Sequence, residues 1–155
     1  MMWKSWGWLG SVVFLGACAS APELPTPTRG IVSDTAASRA ADHALAMVGK
    51  PYRYGGSTPA GFDCSGLVQY SYSLAGVKLP RDTQALRELA QAIRTSDLRR
   101  GDLLFFDQEG KKASHVAIYL GDERFVHAPS TGGRVRTDSL DAVYWRRHFV
   151  QARRI

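Results

Sequence analysis

Apolar and small residues in the first half of the chain recur at helical spacing. The Ala-rich segment 34–49 opens with a residue that can cap a helix and ends at Gly49, so both limits carry helix boundary signals. The segment 64–76 has apolar residues three and four positions apart and closes at a glycine, which predicts a second helix. A third, short helix is predicted over Thr83–Ala92, with its first residue as the cap.

The second half of the chain changes to the alternating pattern of β-strands. Short β-rich runs are separated by Gly, Asp and Glu, and they read GDLLFFD, SHVAIYLG, RFVHAP and GRVRTD. A short helix is predicted in DAVYWRRH, and a last strand in FVQARRI. Because the helices come first and the strands follow as neighbours, the sequence predicts the α+β class with an antiparallel sheet.

The N-terminal segment is predicted to be an export signal. Residues 1–17 carry one positive charge, at Lys4, followed by an apolar run that is too short for a committed membrane span. Small residues precede Cys18 at the end of this run and resemble a bacterial lipobox. We therefore expect cleavage before Cys18 and lipidation of its thiol, which would anchor the protein to a membrane. A plain signal peptide with an incidental cysteine is the alternative.

The rest of the chain divides into a tether and one domain. Residues 18–33 contain several prolines and little apolar content, which predicts a lipidated N-terminus on a flexible tether. Residues 34–155 are long enough for one domain with its own core. The whole chain of 155 residues has 45% apolar and 22% charged residues, which indicates a globular protein. Export implies an oxidising compartment, where acylation of Cys18 would leave Cys64 as the one free thiol.

The chain is basic, with a formal net charge of +6. Loss of residues 1–17 removes one of the 20 basic residues, so 19 remain against 14 acidic ones and the net charge becomes +5. This charge is consistent with ordinary solubility or with attraction to an anionic surface or polymer. An exported chain without a nucleic-acid motif argues against nucleic acid as the partner.

Cys64 has the surroundings of a reactive thiol. It is the first residue of the second predicted helix, where the helix dipole and unpaired N–H groups favour thiolate over thiol. With an imidazolium beside it, the pKa of a thiol can fall to ~3–4, and the thiolate is the nucleophile. A buried structural cysteine is the alternative, but the neighbouring Asp63 and Ser65 are polar.

A nucleophilic cysteine needs a base, and histidine is the usual one. His43 lies on the first predicted helix and His148 near the basic C-terminal cluster, and both are interpreted as surface or satisfied histidines. His115 and His127 lie in two consecutive predicted strands and are the candidates. A purely structural role for these two residues remains open.

The loop between these strands decides whether His115 and His127 share a face of the sheet. A three-residue loop over 121–123 would place Ala117 opposite His127. The two histidines would then be diagonal neighbours on one face, at roughly 7–8 Å between backbones. A two-residue loop without a bulge would place them on opposite faces. Cys64, His115 and His127 could instead bind zinc as a Cys-His₂ site, although their spacing does not resemble a compact metal motif.

Several segments together resemble the NlpC family of papain-like cysteine peptidases, which cut bacterial cell-wall peptides. The segments are PYRYGGSTPAGFDCSGLVQYSY, LPRDT, GDLLFF, SHVAIYLGDERFVHAPSTGGRVRTDSL and YWRRHFVQARRI. The resemblance covers about residues 35–155 and is greatest with the small exported lipoprotein endopeptidases of Gram-negative bacteria. It implies a papain-like α+β fold, with N-terminal helices packed on a C-terminal antiparallel β-sheet.

The same resemblance implies roles for individual residues. Cys64 is expected to attack the scissile carbonyl, and its backbone N–H to help hold the oxyanion. His115 is expected to act as general base and then as general acid, with His127 orienting its ring. No metal and no cofactor are implied.

Four further residues match positions that the family uses around the substrate. Tyr52 is expected to line the site, Asp63 and Ser65 to shape the pocket on the acyl side, and Arg81 to support the loop or bind an acidic substrate group. The alternatives are a core role for Tyr52, a helix cap for Asp63, a first-turn position for Ser65 and a solvated Arg81. Leu86 departs from the pattern, because many relatives carry Gln there.

The implied activity is that of a D,L-endopeptidase acting on peptidoglycan stem peptides or cross-links. The bonds expected are γ-D-glutamyl–diaminopimelate or D-alanyl–diaminopimelate. A non-catalytic wall-binding module and an acyltransferase on the same fold are the alternatives. Ala19 is not the Asp that retains a Gram-negative lipoprotein at the inner membrane, so we expect an outer-membrane anchor facing the periplasm. A monomer is expected.

Overall fold

The computed structural model describes residues 32–108 and 110–155. The predicted signal peptide, the predicted lipidation at Cys18 and nearly all of the predicted tether lie outside the described residues. Val32 donates its backbone N–H to the carbonyl of Ile155 at 3.1 Å and packs against the core. The folded part thus includes at least two residues that precede the predicted domain start at residue 34.

The described residues form four α-helices, of which all but the last begin at a side-chain cap. They are α1 Asp34–Ala46, α2 Cys64–Leu74, α3 Thr83–Leu89 and α4 Val143–His148. The side chains of Ser33, Asp63 and Asp82 cap α1, α2 and α3 by accepting a hydrogen bond from a backbone N–H in the first turn. Thr83, which was predicted to be a cap, is instead the first helical residue of α3. None of the helices in the described part of the chain is long and apolar enough to cross a membrane.

Eight β-strands occur within residues 32–108 and 110–155, and together with the helices they confirm the α+β class. They are β1 Ser57–Thr58, β2 Gly61–Phe62, β3 Gln91–Ile93, β4 Leu103–Gln108, β5 Lys111–Gly121, β6 Arg124–His127, β7 Arg136–Ser139 and β8 Phe149–Arg154. Strands β1 and β2 pair with each other, and the other six form one antiparallel sheet in the order β3-β8-β4-β5-β6-β7.

The structure corrects two predicted boundaries. Helix α3 ends at Leu89 and not at residue 92, because residues 91–93 form strand β3 and pair with β8. Strand β7 begins at Arg136 and not at residue 133, because Val135 exchanges backbone hydrogen bonds with residues 49 and 50. Both corrections arise from pairing between segments that are distant in sequence.

Alternate side chains of the sheet enter two different cores. Val116 and Ile118 of β5 belong to the cluster that packs against α1 and α2. Ala117 and Tyr119 point the other way, into a second cluster that contains Trp145 of α4. His115 has the same parity along β5 as this second pair, so its ring lies on the side that α4 covers.

An ion pair joins the start of β4 to the end of β8, and the neighbouring Gly101 contacts the helices. The Asp102 carboxylate, which is 2% exposed, accepts two hydrogen bonds from the guanidinium of Arg154, each at 2.7 Å. The preceding Gly101 accepts a hydrogen bond from the Tyr72 hydroxyl at 2.7 Å. A Cβ at Gly101 would lie 2.5 Å from backbone atoms of Ala37, so only glycine lets β4 approach α1 this closely.

Candidate active site

Cys64 is the first residue of α2, and a glycine loop packs on this helix end. The Asp63 carboxylate accepts hydrogen bonds from the backbone N–H of Gly66 at 2.7 Å and of Gly55 at 3.0 Å. A Cβ at Gly66 would lie 1.9 Å from the carbonyl oxygen of Gly56, so the loop and the helix can meet only through glycine. These contacts hold the half-buried Cys64 at the predicted helix N-terminus.

The Cys64 sulfur lies against strand β5. Its Sγ atom is 4.0 Å from the carbonyl oxygen of Ser114 and 3.8 Å from the hydroxyl of Thr83, and it also interacts with the backbone N–H of Val116. Residues 114 and 116 flank His115, so the fold brings the predicted nucleophile to the predicted base. Sequence analysis missed the contact with Thr83, because it depends on how α3 packs beside α2.

The turn between β5 and β6 differs from the predicted three-residue loop. It is a two-residue turn at Asp122 and Glu123, with φ of 50° and 55°, the left-handed values of a type I′ turn. A β-bulge between Tyr119 and Gly121 adds one residue to β5. With the bulge, Ile118 lies opposite Val126, which is the pairing that a three-residue loop would give. His115 and His127 therefore lie on the same face of the sheet. The prediction of a shared face is thus confirmed by a different turn.

His115 and His127 form a direct contact within the protein. The Nε2 atom of His115 lies 2.8 Å from Nδ1 of His127, and the two residues are 1% and 0% exposed. The Nε2 atom of His127 lies 3.0 Å from Oδ2 of Asp138 on strand β7. Sequence analysis missed Asp138. The only signal was its place in a strand near His127, and the register of β6 and β7 is needed to use that signal.

Aromatic rings enclose the two histidines. The indole of Trp145 stacks on the His115 ring at 5.8 Å between centroids and meets the His127 ring edge-on at 4.8 Å. Phe125 meets the other side of His127 at 5.1 Å, and Phe106 lies 6.1 Å from His115. This packing restricts the rotation of both rings. Trp145 was predicted only as part of a helix.

Burial determines the protonation of the histidines. Burial, together with the positive charges of a protonated His127 and of Arg136, lowers the pKa of His115 to about 3, against the opposing effect of Asp138. Burial also lowers the pKa of His127, against the opposing effect of Asp138. Partial burial raises the pKa of Asp138, but hydrogen bonds from His127 and Arg136 outweigh it and hold the pKa at about 2. At neutral pH the site therefore contains two neutral imidazoles and one carboxylate.

The pKa of Cys64 moves in the opposite direction from the sequence-based expectation. Burial raises the pKa of the thiol, and this effect outweighs the interactions with the Val116 N–H and the Thr83 hydroxyl, which lower it. With His115 also neutral, the substrate-free site holds a thiol beside an imidazole.

Cys64 and His115 line the same cavity, which has a volume of about 230 Å³. Tyr52 lines this cavity as predicted, together with Ser114 and Gln108. A neighbouring depression of about 460 Å³ includes Tyr52 and Cys64 and extends to the other predicted substrate residues, namely Asp63, Ser65 and Arg81. The two cavities form one groove with the thiol between them.

Asp63, Ser65 and Arg81 form one polar network in this groove. The Arg81 guanidinium donates to the Asp63 carboxylate at 2.7 Å and to the Ser65 hydroxyl at 2.9 Å. It also donates to the Gly56 carbonyl at 3.3 Å. Asp63 is thus both the helix cap, which was the alternative reading, and the partner of an arginine. The network fixes the shape of the groove on the side of the α2 N-terminus.

The remaining sequence candidates lie away from the thiol or do not assemble into a metal site. His148 contacts the Tyr144 carbonyl at 2.7 Å on α4, and Leu86 is a core residue with 0% exposure. Within residues 32–108 and 110–155, no three His, Cys, Asp or Glu residues are placed to hold a metal ion together. Both ring nitrogens of His127 are engaged by His115 and Asp138, which leaves neither for zinc.

Comparison with known proteins identifies the family. The model of the NlpC/P60 family matches residues 49–154. Murein DD-endopeptidase MepH of Escherichia coli (strain K12) is 45% identical over 116 residues, which cover 72% of this chain and 43% of MepH. Murein DD-endopeptidase MepS/Murein LD-carboxypeptidase of the same organism is 34% identical over 165 residues, covering 92% of this chain and 87% of that protein.

A solved structure shares the fold over most of the chain. The Staphylococcus aureus protein described as similar to lipoprotein, of the NLP/P60 family, superimposes with a TM-score of 0.71 at 36% identity. The superposition covers 84% of this chain and 44% of that protein. The chain thus spans less than half the length of MepH and of this Staphylococcus aureus protein. Together with the Cys64 and His115 geometry, these similarities show that the chain belongs to the NlpC/P60 family.

Proposed function

We propose that this protein is a cysteine endopeptidase that hydrolyses amide bonds in peptidoglycan stem peptides or cross-links. The observation that carries the proposal is a thiol at a helix N-terminus that shares a cavity with His115, which in turn contacts the buried His127. The names of MepH and MepS as murein endopeptidases support the substrate class.

The first chemical step forms a thioester. His115 accepts the proton of the Cys64 thiol, and the sulfur attacks the scissile carbonyl carbon. The resulting oxyanion is held by the backbone N–H of Cys64 at the start of α2. When the C–N bond breaks, His115 returns the proton to the leaving amine.

The second step hydrolyses the thioester. His115 removes a proton from water, and the hydroxide formed attacks the thioester carbonyl. The C–S bond breaks, a carboxylic acid is released, and the sulfur regains the proton from His115. The enclosed rings of His127 and Trp145 keep His115 in one orientation through both steps.

The groove beside the thiol holds the acyl side of the substrate. Tyr52 lines it, while the network of Asp63, Ser65 and Arg81 presents a carboxylate and a guanidinium to polar substrate groups. The scissile bonds that we propose are γ-D-glutamyl–diaminopimelate within a stem or D-alanyl–diaminopimelate in a cross-link. Lipidation at Cys18 and an outer-membrane location facing the periplasm are proposed from the sequence, as is a monomer.

The test uses the full chain and its Cys64→Ala variant, each incubated with purified peptidoglycan. Mass spectrometry of the soluble products is expected to detect fragments from the wild type alone, and their masses identify the bond cut. An added primary amine separates hydrolysis from acyl transfer, since transfer would yield amine adducts. Absence of fragments with the wild type, while it still sediments with the wall, would overturn the proposal in favour of a binding module.

A further inference from the structure

We propose that Asp138 is a positioning residue that sets which nitrogen of His127, and through it of His115, carries the proton. The inference deepens the proposed peptidase function and rests on it. Asp138 lies on β7, on the far side of His127 from His115. It contacts neither the thiol nor any group that the chemistry uses directly, so it acts only through the two rings.

One oxygen of the Asp138 carboxylate gathers three donors. Oδ2 lies 3.0 Å from Nε2 of His127, 3.1 Å from Nε of Arg136 and 3.0 Å from Nε1 of Trp145. The guanidinium and the indole can only donate hydrogen bonds, so Oδ2 must accept from both of them. Their two hydrogen bonds hold this oxygen beside Nε2 of His127. The pKa of about 2 for Asp138 is consistent with a carboxylate that stays ionised and cannot donate to His127.

The position of each proton follows from this acceptor. Because Asp138 only accepts, Nε2 of His127 carries a hydrogen, and the neutral ring has its lone pair on Nδ1. The 2.8 Å contact between the rings then requires that Nε2 of His115 is the donor. Nδ1 of His115 is therefore the unprotonated nitrogen, and it is the one not engaged by His127. The general base thus has its lone pair available for the thiol proton.

Without Asp138 the same two rings could hold the opposite arrangement. A neutral His127 protonated on Nδ1 would donate to Nε2 of His115 across the same contact. His115 would then carry its hydrogen on Nδ1, and this form cannot accept the proton of Cys64. The packing of Phe125 and Trp145 around His127 opposes a ring flip, so the proton position is the variable that Asp138 controls.

The test compares three full-chain variants. Asp138→Leu removes the acceptor and is expected to lower kcat at least about 100-fold with little change in KM, since the general base is lost in most molecules. Asp138→Asn can still offer an oxygen to the three donors, so the tautomers persist and the loss is expected to be smaller. Asp141→Asn, an exposed residue three positions away, is the matched control and is expected to match the wild type.

A spectroscopic measurement separates proton position from stability and from activity. Histidine ¹⁵N chemical shifts are expected to show Nε2–H with a bare Nδ1 for His127 in the wild type and in Asp138→Asn, and the opposite tautomer in Asp138→Leu. An unprotonated Nε2 of His127 in the wild type would overturn the proposal, even if the peptidase itself proved inactive. Equal kcat losses for the Asn and Leu variants with unchanged tautomers would also overturn it, because charge alone would then explain the effect.

Discussion

Nε2 of His115 and Nδ1 of His127 lie 2.8 Å apart, in the interior of the protein and twelve residues apart in sequence. Two adjacent antiparallel strands bring them together, and the Trp145 indole stacks on His115 and meets His127 edge-on. Their burial lowers the pKa of both imidazoles and keeps them neutral at physiological pH. The two histidines nevertheless have different access to the thiol, since only His115 lines the cavity that contains Cys64.

Substitution of His115 is expected to reduce activity more than substitution of His127. His115→Ala is expected to lower kcat by about 10²–10⁴-fold, because general acid–base catalysis is lost. His127→Ala is expected to cost less, about 10- to 100-fold, because the base remains but its orientation is lost. The assay is release of peptidoglycan fragments by full-chain protein whose folding is checked by circular dichroism. His43→Gln on α1 serves as the control, and full activity of His115→Ala would refute the assigned roles.

Alkylation of the thiol should depend steeply on pH. Burial raises the pKa of Cys64 and lowers that of His115, so the neutral pair predominates from mildly acidic to mildly alkaline pH. The rate with iodoacetamide is then expected to rise about tenfold per pH unit between pH 6 and 8, in proportion to the thiolate. Cys64→Ala provides the background. A rate that stays constant over this range would instead indicate a preformed thiolate–imidazolium pair.

Acid is expected to destabilise the fold at pH values well above the ordinary pKa of carboxyl groups. His115 has a folded-state pKa of about 3 against an ordinary value near 6.5, so between these values only the unfolded chain binds the proton. Stability is therefore expected to fall as pH drops below 6.5, by up to about 1.4 kcal/mol per pH unit for each such histidine. Urea unfolding of the wild type and His115→Gln at pH 7, 6 and 5 measures the slope. An identical slope in both proteins would contradict the assignment.

Metal chelation should leave activity unchanged. Both ring nitrogens of His127 are occupied by hydrogen bonds, so Cys64, His115 and His127 do not converge as a zinc site. Activity is measured before and after dialysis against a chelator, with and without added zinc. A loss of activity that zinc restores would revive the Cys-His₂ alternative.

Local sequence information was sufficient for the placement of Cys64 and for the types of most secondary elements, strands β1 to β3 being the exceptions. Asp63 caps α2 through a hydrogen bond to a residue three positions on, so the helix start and the cysteine at it are encoded within a few residues. The alternation along β5 and β6 likewise placed His115 and His127 in strands. The family resemblance then supplied roles that these patterns leave open.

The relation between distant segments was decided only by the tertiary structure. A shared face for His115 and His127 depends on a bulge that compensates for a two-residue turn, and one residue more or less would have reversed it. Asp138 and Trp145 reach the histidines through the register of β7 and the packing of α4, and the pKa values depend on the resulting burial. The chain by itself determined which chemical groups are present and the elements that hold them. Their distances, protonation and access to water arise from long-range packing, because hydrogen bonds and burial act between residues that local sequence does not connect.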